Sequence, residues 1–136
     1  MTRIEGAVPV LRVADVDRSV EWYKRVLGFE AQCFPDQPPY EFAVVTRDGA
    51  EIMLQRVSTG ERAGPVNSDT WSVYLRLSGE QILRLHDEVK LVTTVLAGPW
   101  RKFYCDAEFE IADPDGHRLC LGEVLPATVE LPAPSE

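Results

Sequence analysis

The chain has 136 residues, 45% of them hydrophobic and 26% charged, with a formal net charge of −8. That length fits one domain of about 100–200 residues, and the balance is globular rather than disordered. The acidity speaks against a phosphate-backbone binder, so no nucleic-acid partner is expected, and it is compatible with a cationic ligand.

The start of the chain has no signal-peptide pattern, and Arg12 and Asp15 interrupt its first hydrophobic segment. No stretch reaches the ~18–20 apolar residues of a membrane span, so no membrane partner is expected. Cys33, Cys105 and Cys120 are an odd number at wide spacings, with no CxxC. They read as reduced thiols of a cytoplasmic protein, not as a disulfide framework or a zinc knuckle.

Residues 8–13 read as a strand. Asp15 or Asp17 can cap a helix running to about residue 27, with Val16, Val20, Tyr23 and Leu27 on one face. Gly28 stands where a left-handed residue closes a helix. Residues 29–34 form a second strand, stopped by Pro35, and Pro38-Pro39 marks a loop. Residues 41–47 and 50–55 make a hairpin across Asp48-Gly49. Trp22 and Phe29 fall on the core side of their elements. Gly60, Gly64, Pro65, Asn67 and Ser68 mark a link. A strand at 71–77 follows, then a helix with the stripe Ile82, Leu85, His86 and Val89. Residues 91–96 read as a strand ahead of a long Gly98-Pro99 loop. Asp113-Pro114-Asp115-Gly116 turns a last hairpin. From Pro126, with Pro132 and Pro134, the chain reads as a mobile arm.

The elements repeat. Val10-Leu11-Arg12-Val13 and Tyr74-Leu75-Arg76-Leu77 lie 64 residues apart, and Glu41-Phe42 and Glu108-Phe109 lie 67 apart. The single domain, 1–136, divides into repeat one (about 7–56), a linker (57–70), repeat two (about 71–124) and a mobile tail (125–136). The offset makes Phe42 and Phe109 equivalent core residues. Either copy alone would bury too little apolar surface to be secure. Side by side they give an α+β domain of eight strands, with helices on one face and a groove on the other.

Val10-Leu11-Arg12-Val13-Ala14-Asp15, Arg18-Ser19-Val20-Glu21-Trp22-Tyr23 and Val26-Leu27-Gly28-Phe29 resemble the opening of the vicinal oxygen chelate superfamily. That superfamily holds the glyoxalases, bleomycin-resistance proteins and ring-cleaving dioxygenases. Phe109-Glu110-Ile111-Ala112-Asp113-Pro114-Asp115-Gly116-His117-Arg118-Leu119 resembles its closing motif. The resemblance covers about residues 7–124. It implies two βαβββ repeats forming a curved eight-stranded mixed sheet, a cup with helices on its outer face, in a homodimer.

Enzymes of the family hold a divalent metal in that cup, on ligands from the first and fourth strands of each unit. The resemblance puts those positions at Val8, Met53, Ser72 and Cys120. Such ions want carboxylate oxygen or imidazole nitrogen. Val8 offers nothing, Met53 and Ser72 are weak donors, and Cys120 binds strongly only as a thiolate. His86 falls on the second helix, remote from the cup, and His117 reads as a solvated hairpin residue. No metal, no cofactor and no catalytic residue is therefore expected. The departure resembles the non-catalytic, ligand-sequestering branch of bleomycin-resistance proteins.

Strand periodicity then decides what the cup presents. Glu51, Met53 and Gln55 share a face, as do Ser72, Tyr74 and Arg76; Arg118, Cys120 and Gly122; Val8, Val10 and Arg12; and Glu108 and Glu110. Phe34, Tyr40, Trp71, Trp100, Phe103 and Tyr104 are the loop aromatics that can stack on a ligand. The expected ligand-binding set is Met53, Gln55, Trp71, Tyr74, Arg76, Trp100, Tyr104, Glu108, Arg118 and Cys120. Cys120 reads as a small buried thiol, since no histidine is placed to activate it. Glu108 and Glu110 could supply a general base in a metal-free enzyme. The whole reads as a metal-free, homodimeric protein that sequesters a small molecule, with a cationic antibiotic of bleomycin type as one candidate. The alternatives are a metal-dependent lyase, isomerase or dioxygenase of the same fold, and an interaction module whose groove its own dimer partner fills.

Overall fold

The computed structural model describes residues 1–104 and 106–132. Cys105 and the end of the expected tail, with Pro134, lie outside the described residues. The first unit comprises β1 (Val10–Val13), α1 (Val16–Leu27), β2 (Glu30–Phe34), β3 (Phe42–Arg47) and β4 (Ala50–Arg56). The second comprises β5 (Trp71–Arg76), α2 (Ile82–Val89), β6 (Val95–Arg101), β7 (Asp106–Ala112) and β8 (Arg118–Val124). The strands form two four-stranded sheets, ordered β1-β4-β3-β2 and β5-β8-β7-β6. In each, the first pair is parallel and the others antiparallel. The fold is therefore α+β, with two βαβββ units as expected.

Local chemistry explains why each helix starts where it does. Asp15 caps α1, its side chain accepting the Arg18 N–H at 3.1 Å. The helix closes at Gly28, whose φ is 67°. Its buried residues, among them Val16, Val20, Trp22, Tyr23 and Val26, join Leu11, Val13, Val45, Ile52 and Leu54 in the core. The start of α2 has no side-chain cap within the helix segment. Instead the buried carboxylate of Glu123, reaching across from β8, accepts the N–H groups of Glu80, Gln81 and Ile82. A negative charge there satisfies the orphan donors and the positive end of the helix dipole. On the inner side of α2, His86 meets Phe109 with ring centroids 5.3 Å apart.

The two units are joined through the loop between β7 and β8. Buried Tyr23 on α1 donates its hydroxyl to Asp113 at 3.0 Å. The same carboxylate accepts the backbone N–H of Asp115 and of His117, each at 2.9 Å. Asp115 in turn accepts Arg18 and the Ala14 N–H at 3.2 Å. His117 is not a solvated hairpin residue; it is 4% exposed, with Nε2 2.8 Å from the Arg12 carbonyl and Nδ1 3.1 Å from Ser72 Oγ. The Gly64 N–H donates to the same Arg12 carbonyl at 3.0 Å. These contacts occupy the outer edge of β1, which does not hydrogen-bond to β5.

Four further expectations are revised. The strand placed at 91–96 lies later, and β6 runs through Gly98-Pro99. A Cβ at Gly98 (φ 83°) would lie 2.3 Å from the Glu108 carbonyl oxygen, so only glycine lets β6 pass so close to β7. Phe42 and Phe109 are not equivalent. Val44 pairs with Met53, and Glu110 with Cys120, so the counterpart of Phe42 is Glu108. The cause is loop length: residues 48–49 turn the first hairpin, whereas 113–117 turn the second. Val8 precedes β1 rather than opening it. The described part of the tail is docked against β6: Leu125 is buried, Arg101 reaches the Leu125 and Pro126 carbonyls, and the Arg101 N–H donates to Pro132.

Among the described residues Cys33 and Cys120 are unbridged, and no helix is long and apolar enough to cross a membrane. Burial pushes the Asp113 carboxyl above its ordinary pKa range, and nearby His117 offsets part of that rise. Removing one donor to such an acceptor costs about 1–3 kcal/mol. Tyr23→Phe should therefore lower the stability by that much, as a lower urea midpoint with an unchanged slope in equilibrium denaturation. An unchanged midpoint would mean the Tyr23–Asp113 bond does not hold the units together.

Candidate functional site: an acidic, aromatic cup

The inner face of the second sheet carries the polar convergence. The β5–β8 ladder slips at Ser72: Trp71 pairs with Arg118 and Val73 with Leu119. The bulge takes Ser72 out of the row it was expected to share with Tyr74, and Trp71 takes the place. The Trp71 and Tyr74 rings lie 5.3 Å apart. Trp71, Tyr74, Arg76, Tyr104 and Asp106 line an open concavity of about 610 Å³.

Tyr74 lies across β8 because residue 122 is glycine. A Cβ there would stand 1.8 Å from the phenol oxygen. That oxygen lies 2.6 Å from Asp106 Oδ2 and 2.8 Å from Glu108 Oε2. Tyr104 donates to the same Glu108 oxygen at 2.5 Å. Arg76 pairs with Asp106 at 2.6 Å, its guanidinium 5.0 Å from the centre of the Tyr74 ring. Arg118 pairs with Glu110 at 3.3 Å. All three acids are buried, but Glu108 differs from its neighbours in that no basic side chain pairs with it among the described residues. Its Oε1 is buried without a hydrogen-bond partner among the described residues. So is Nε1 of Trp100, the residue opposite Glu108 in the β6–β7 ladder. Lys102 sits over the Trp100 ring at 5.6 Å.

The electrostatics follow from this crowding. Burial pushes the Tyr74 phenol far above its ordinary pKa, and its bonds to Asp106 and Glu108 add to the rise. Tyr104 is raised by burial and then by Glu108. Cys120, fully buried beside this cluster, has its thiol raised by burial and then by the charges of Glu108 and Glu110. The cluster therefore holds protonated phenols and a protonated, unreactive thiol at neutral pH.

Of the ten expected residues, Trp71, Tyr74, Arg76 and Tyr104 line the concavity, and Trp100, Glu108, Arg118 and Cys120 lie on the same sheet, Glu108 and Cys120 buried. Trp100 is in a strand, not in a loop. Met53 and Gln55 stay on the first sheet. Met53 lies opposite Val10 and Val44, and the Gln55 amide turns to the Glu41 and Arg56 carbonyls. Asp106 is not among the expected residues; the alternation Asp106, Glu108, Glu110 is the signal that finds it. A larger cleft, about 970 Å³, runs along the free edge of β5 between α2 and the β3–β4 hairpin and shares Tyr74 and Arg76 with the concavity. The acidic concavity is the better ligand site because charge and aromatic faces converge on it.

The residues at the family's four metal positions do not fit a divalent ion. Val8 lies ahead of its strand, Met53 is a thioether, Ser72 is turned to His117, and the Cys120 thiol is held protonated. Among the described residues no three His, Cys, Asp or Glu side chains group as ion ligands.

A model of the Glyoxalase/Bleomycin resistance protein/Dioxygenase superfamily matches residues 6–121, and the chain belongs to that superfamily. Solved structures agree on the fold. TioX from Micromonospora sp. ML1 superposes with a TM-score of 0.67 at 20% identity, covering 87% of this chain and 97% of its own. A glyoxalase/bleomycin resistance protein/dioxygenase from Nocardioides gives 0.66 at 16% identity, covering 97% and 92%. The V. cholerae integron cassette protein VCH_CASS1 gives 0.65 at 20% identity, covering 92% and 98%. No curated protein matches the chain.

The raised phenols have a consequence for pH. Their folded pKa values exceed the unfolded value of about 10, so their contribution is complete below that pH and declines as pH rises above it. Tyr23 shares this behaviour through burial and Asp113. Stability should therefore fall above about pH 10, and the tyrosinate absorbance of these three residues in the near ultraviolet should develop together with unfolding. Their full titration in a protein still folded by circular dichroism would disprove the arrangement.

Proposed function

We propose that this protein binds a small organic cation in the acidic, aromatic cup of the second unit and sequesters it unchanged. The observation that carries this reading is Glu108. Asp106 and Glu110 each have an arginine, whereas Glu108 is buried among phenols with no basic partner among the described residues. An uncompensated buried carboxylate is costly, and a ligand's ammonium, amidinium or guanidinium supplies the missing charge and N–H donors. Trp71, Trp100 and Tyr104 offer faces for an attached aromatic system. Antibiotics of the bleomycin type fall in this class.

The working unit in this reading is a cytoplasmic homodimer. Its support is the first sheet's inner face, where Val10 and Phe34 are 55% and 43% exposed beside half-buried Phe42, Val44 and Met53. A second copy would cover that face and bring Met53 and Gln55 to the ligand. The unbridged thiols of Cys33 and Cys120 agree with a reducing compartment.

Calorimetry with bleomycin and a panel of aromatic amines and guanidines should find saturable binding, with the compound recovered intact. Glu108→Gln should weaken it by about 10–100-fold, the loss of one charge-assisted bond. Equal affinity for neutral isosteres, or no binding across the panel, would overturn the reading. Mass spectrometry of untagged protein, grown with zinc, nickel, manganese and iron, should find less than about a tenth of an equivalent of metal. Near one equivalent would favour a metal-dependent lyase or dioxygenase instead.

A further inference from the structure

Ser72 and His117 form a pair that the acidic cup does not use. Ser72 is the bulged residue of β5, with no partner in the ladder between Trp71 and Val73. Bulges re-aim side chains. Here the Ser72 hydroxyl meets the buried His117 ring, Oγ to Nδ1, at 3.1 Å. The other ring nitrogen lies 2.8 Å from the Arg12 carbonyl oxygen. A carbonyl can only accept, so when the ring holds a single proton it is Nε2 that carries it. Nδ1 is left with its lone pair directed at the Ser72 hydroxyl. The base is fixed from two further sides: the His117 N–H is bound by Asp113 at 2.9 Å, and the Gly64 N–H holds the Arg12 carbonyl at 3.0 Å.

Space for a substrate adjoins the hydroxyl. Ser72 is half-buried and lines the cleft of about 970 Å³ beside β5. Leu27, Phe29, Leu75, Leu77 and Leu85 give that cleft an apolar part, and Arg47, Glu51, Arg84 and Glu88 give it a charged one. A hydroxyl bonded to a basic nitrogen, a third group orienting the base, and a cleft that the serine lines make up the parts of an activated nucleophile.

We propose that Ser72 is a nucleophile activated by His117, and that it takes the acyl group of an ester of an apolar carboxylic acid. Ser72 Oγ bonds to the ester carbonyl carbon while Nδ1 of His117 takes the hydroxyl proton. The bond from that carbon to the alkoxy oxygen breaks, and the leaving oxygen receives the proton from His117. Water then attacks the serine ester with the same imidazole as base, which releases the carboxylic acid and restores the Ser72 hydroxyl. No electrons are transferred in either half. Tyr74 and Arg76 border both the cleft and the cup, but the bond-making groups are Ser72 and His117 alone, so this activity is tested separately from the sequestering function.

The test uses the full chain with an alkyl fluorophosphonate and with p-nitrophenyl butyrate. Intact mass and peptide mapping should show one adduct per chain, on Ser72. Release of p-nitrophenolate should drop by about 100-fold or more in Ser72→Ala, whose fold is checked by circular dichroism. His117→Gln should lose the adduct as well. Should that variant fail to fold, Ser72→Cys is the substitute, and its new thiol should react with iodoacetamide well ahead of Cys33. No adduct on the native chain, or adduct and turnover that persist in Ser72→Ala, would overturn the proposal. So would an introduced thiol that reacts no faster than Cys33, or a Ser72→Ala variant that shifts Tm alone.

Discussion

The buried carboxylate of Asp113 is the constraint on which the rest of the molecule depends. One side chain accepts the hydroxyl of a core tyrosine from the first unit and two backbone N–H groups of its own loop. Those bonds fix the shape of the 113–117 loop, and that shape sets Asp115 under α1 and His117 against β1. Placing an ionisable group so deep is unfavourable unless its lone pairs are all used, which ties the loop's geometry to the docking of the units. The matching turn of the first unit is shorter and makes no comparable plug. The cleft beside β5 opens on that side.

Duplication of the unit has kept its scaffold and divided its chemistry. Val10, Val44 and Phe42 on the first sheet correspond to Tyr74, Glu110 and Glu108 on the second. An apolar row thus has an acidic, phenolic row as its counterpart. Gly122 belongs to the same change, because the polar row needs a phenol lying flat across β8 to separate two carboxylates. Two of the three acids pair with arginines, and the third has no ion pair among the described residues.

The fold was legible because helical and strand periods, the Asp15 and Gly28 stops and the internal repeat agree with one another. Where the reading failed, the information was not local. The strand through Gly98-Pro99 looks like a loop until the backbone of β7 is seen to pass within contact of it. The offset of 67 paired two Glu-Phe dipeptides that a longer loop puts out of step by one residue. In a strand one residue is a change of face, so a phenylalanine was matched to a phenylalanine where the sheet matches it to a glutamate. His117 follows a turn and so reads as solvated, but its burial depends on β1, more than a hundred residues earlier. In the site, alternation found the row and missed only its first member, Asp106. What no pattern could supply was pairing: which acid has an arginine and which does not.

The capping of α2 by Glu123 bears on the order in which the molecule can assemble. The cap of α1 comes from Asp15, three residues from the N–H it binds, so that helix can start as soon as its own segment exists. The donors at the start of α2 wait for a carboxylate some forty residues downstream, on the final strand. During synthesis the cap of α1 is in place early, while α2 remains uncapped until nearly the whole chain has emerged. Contacts that close such long loops form late and slowly. The half of the protein that carries the charged cup is thus the half whose completion depends on the last strand, and a chain cut short before Glu123 would leave the α2 start unfinished along with the cup beside it.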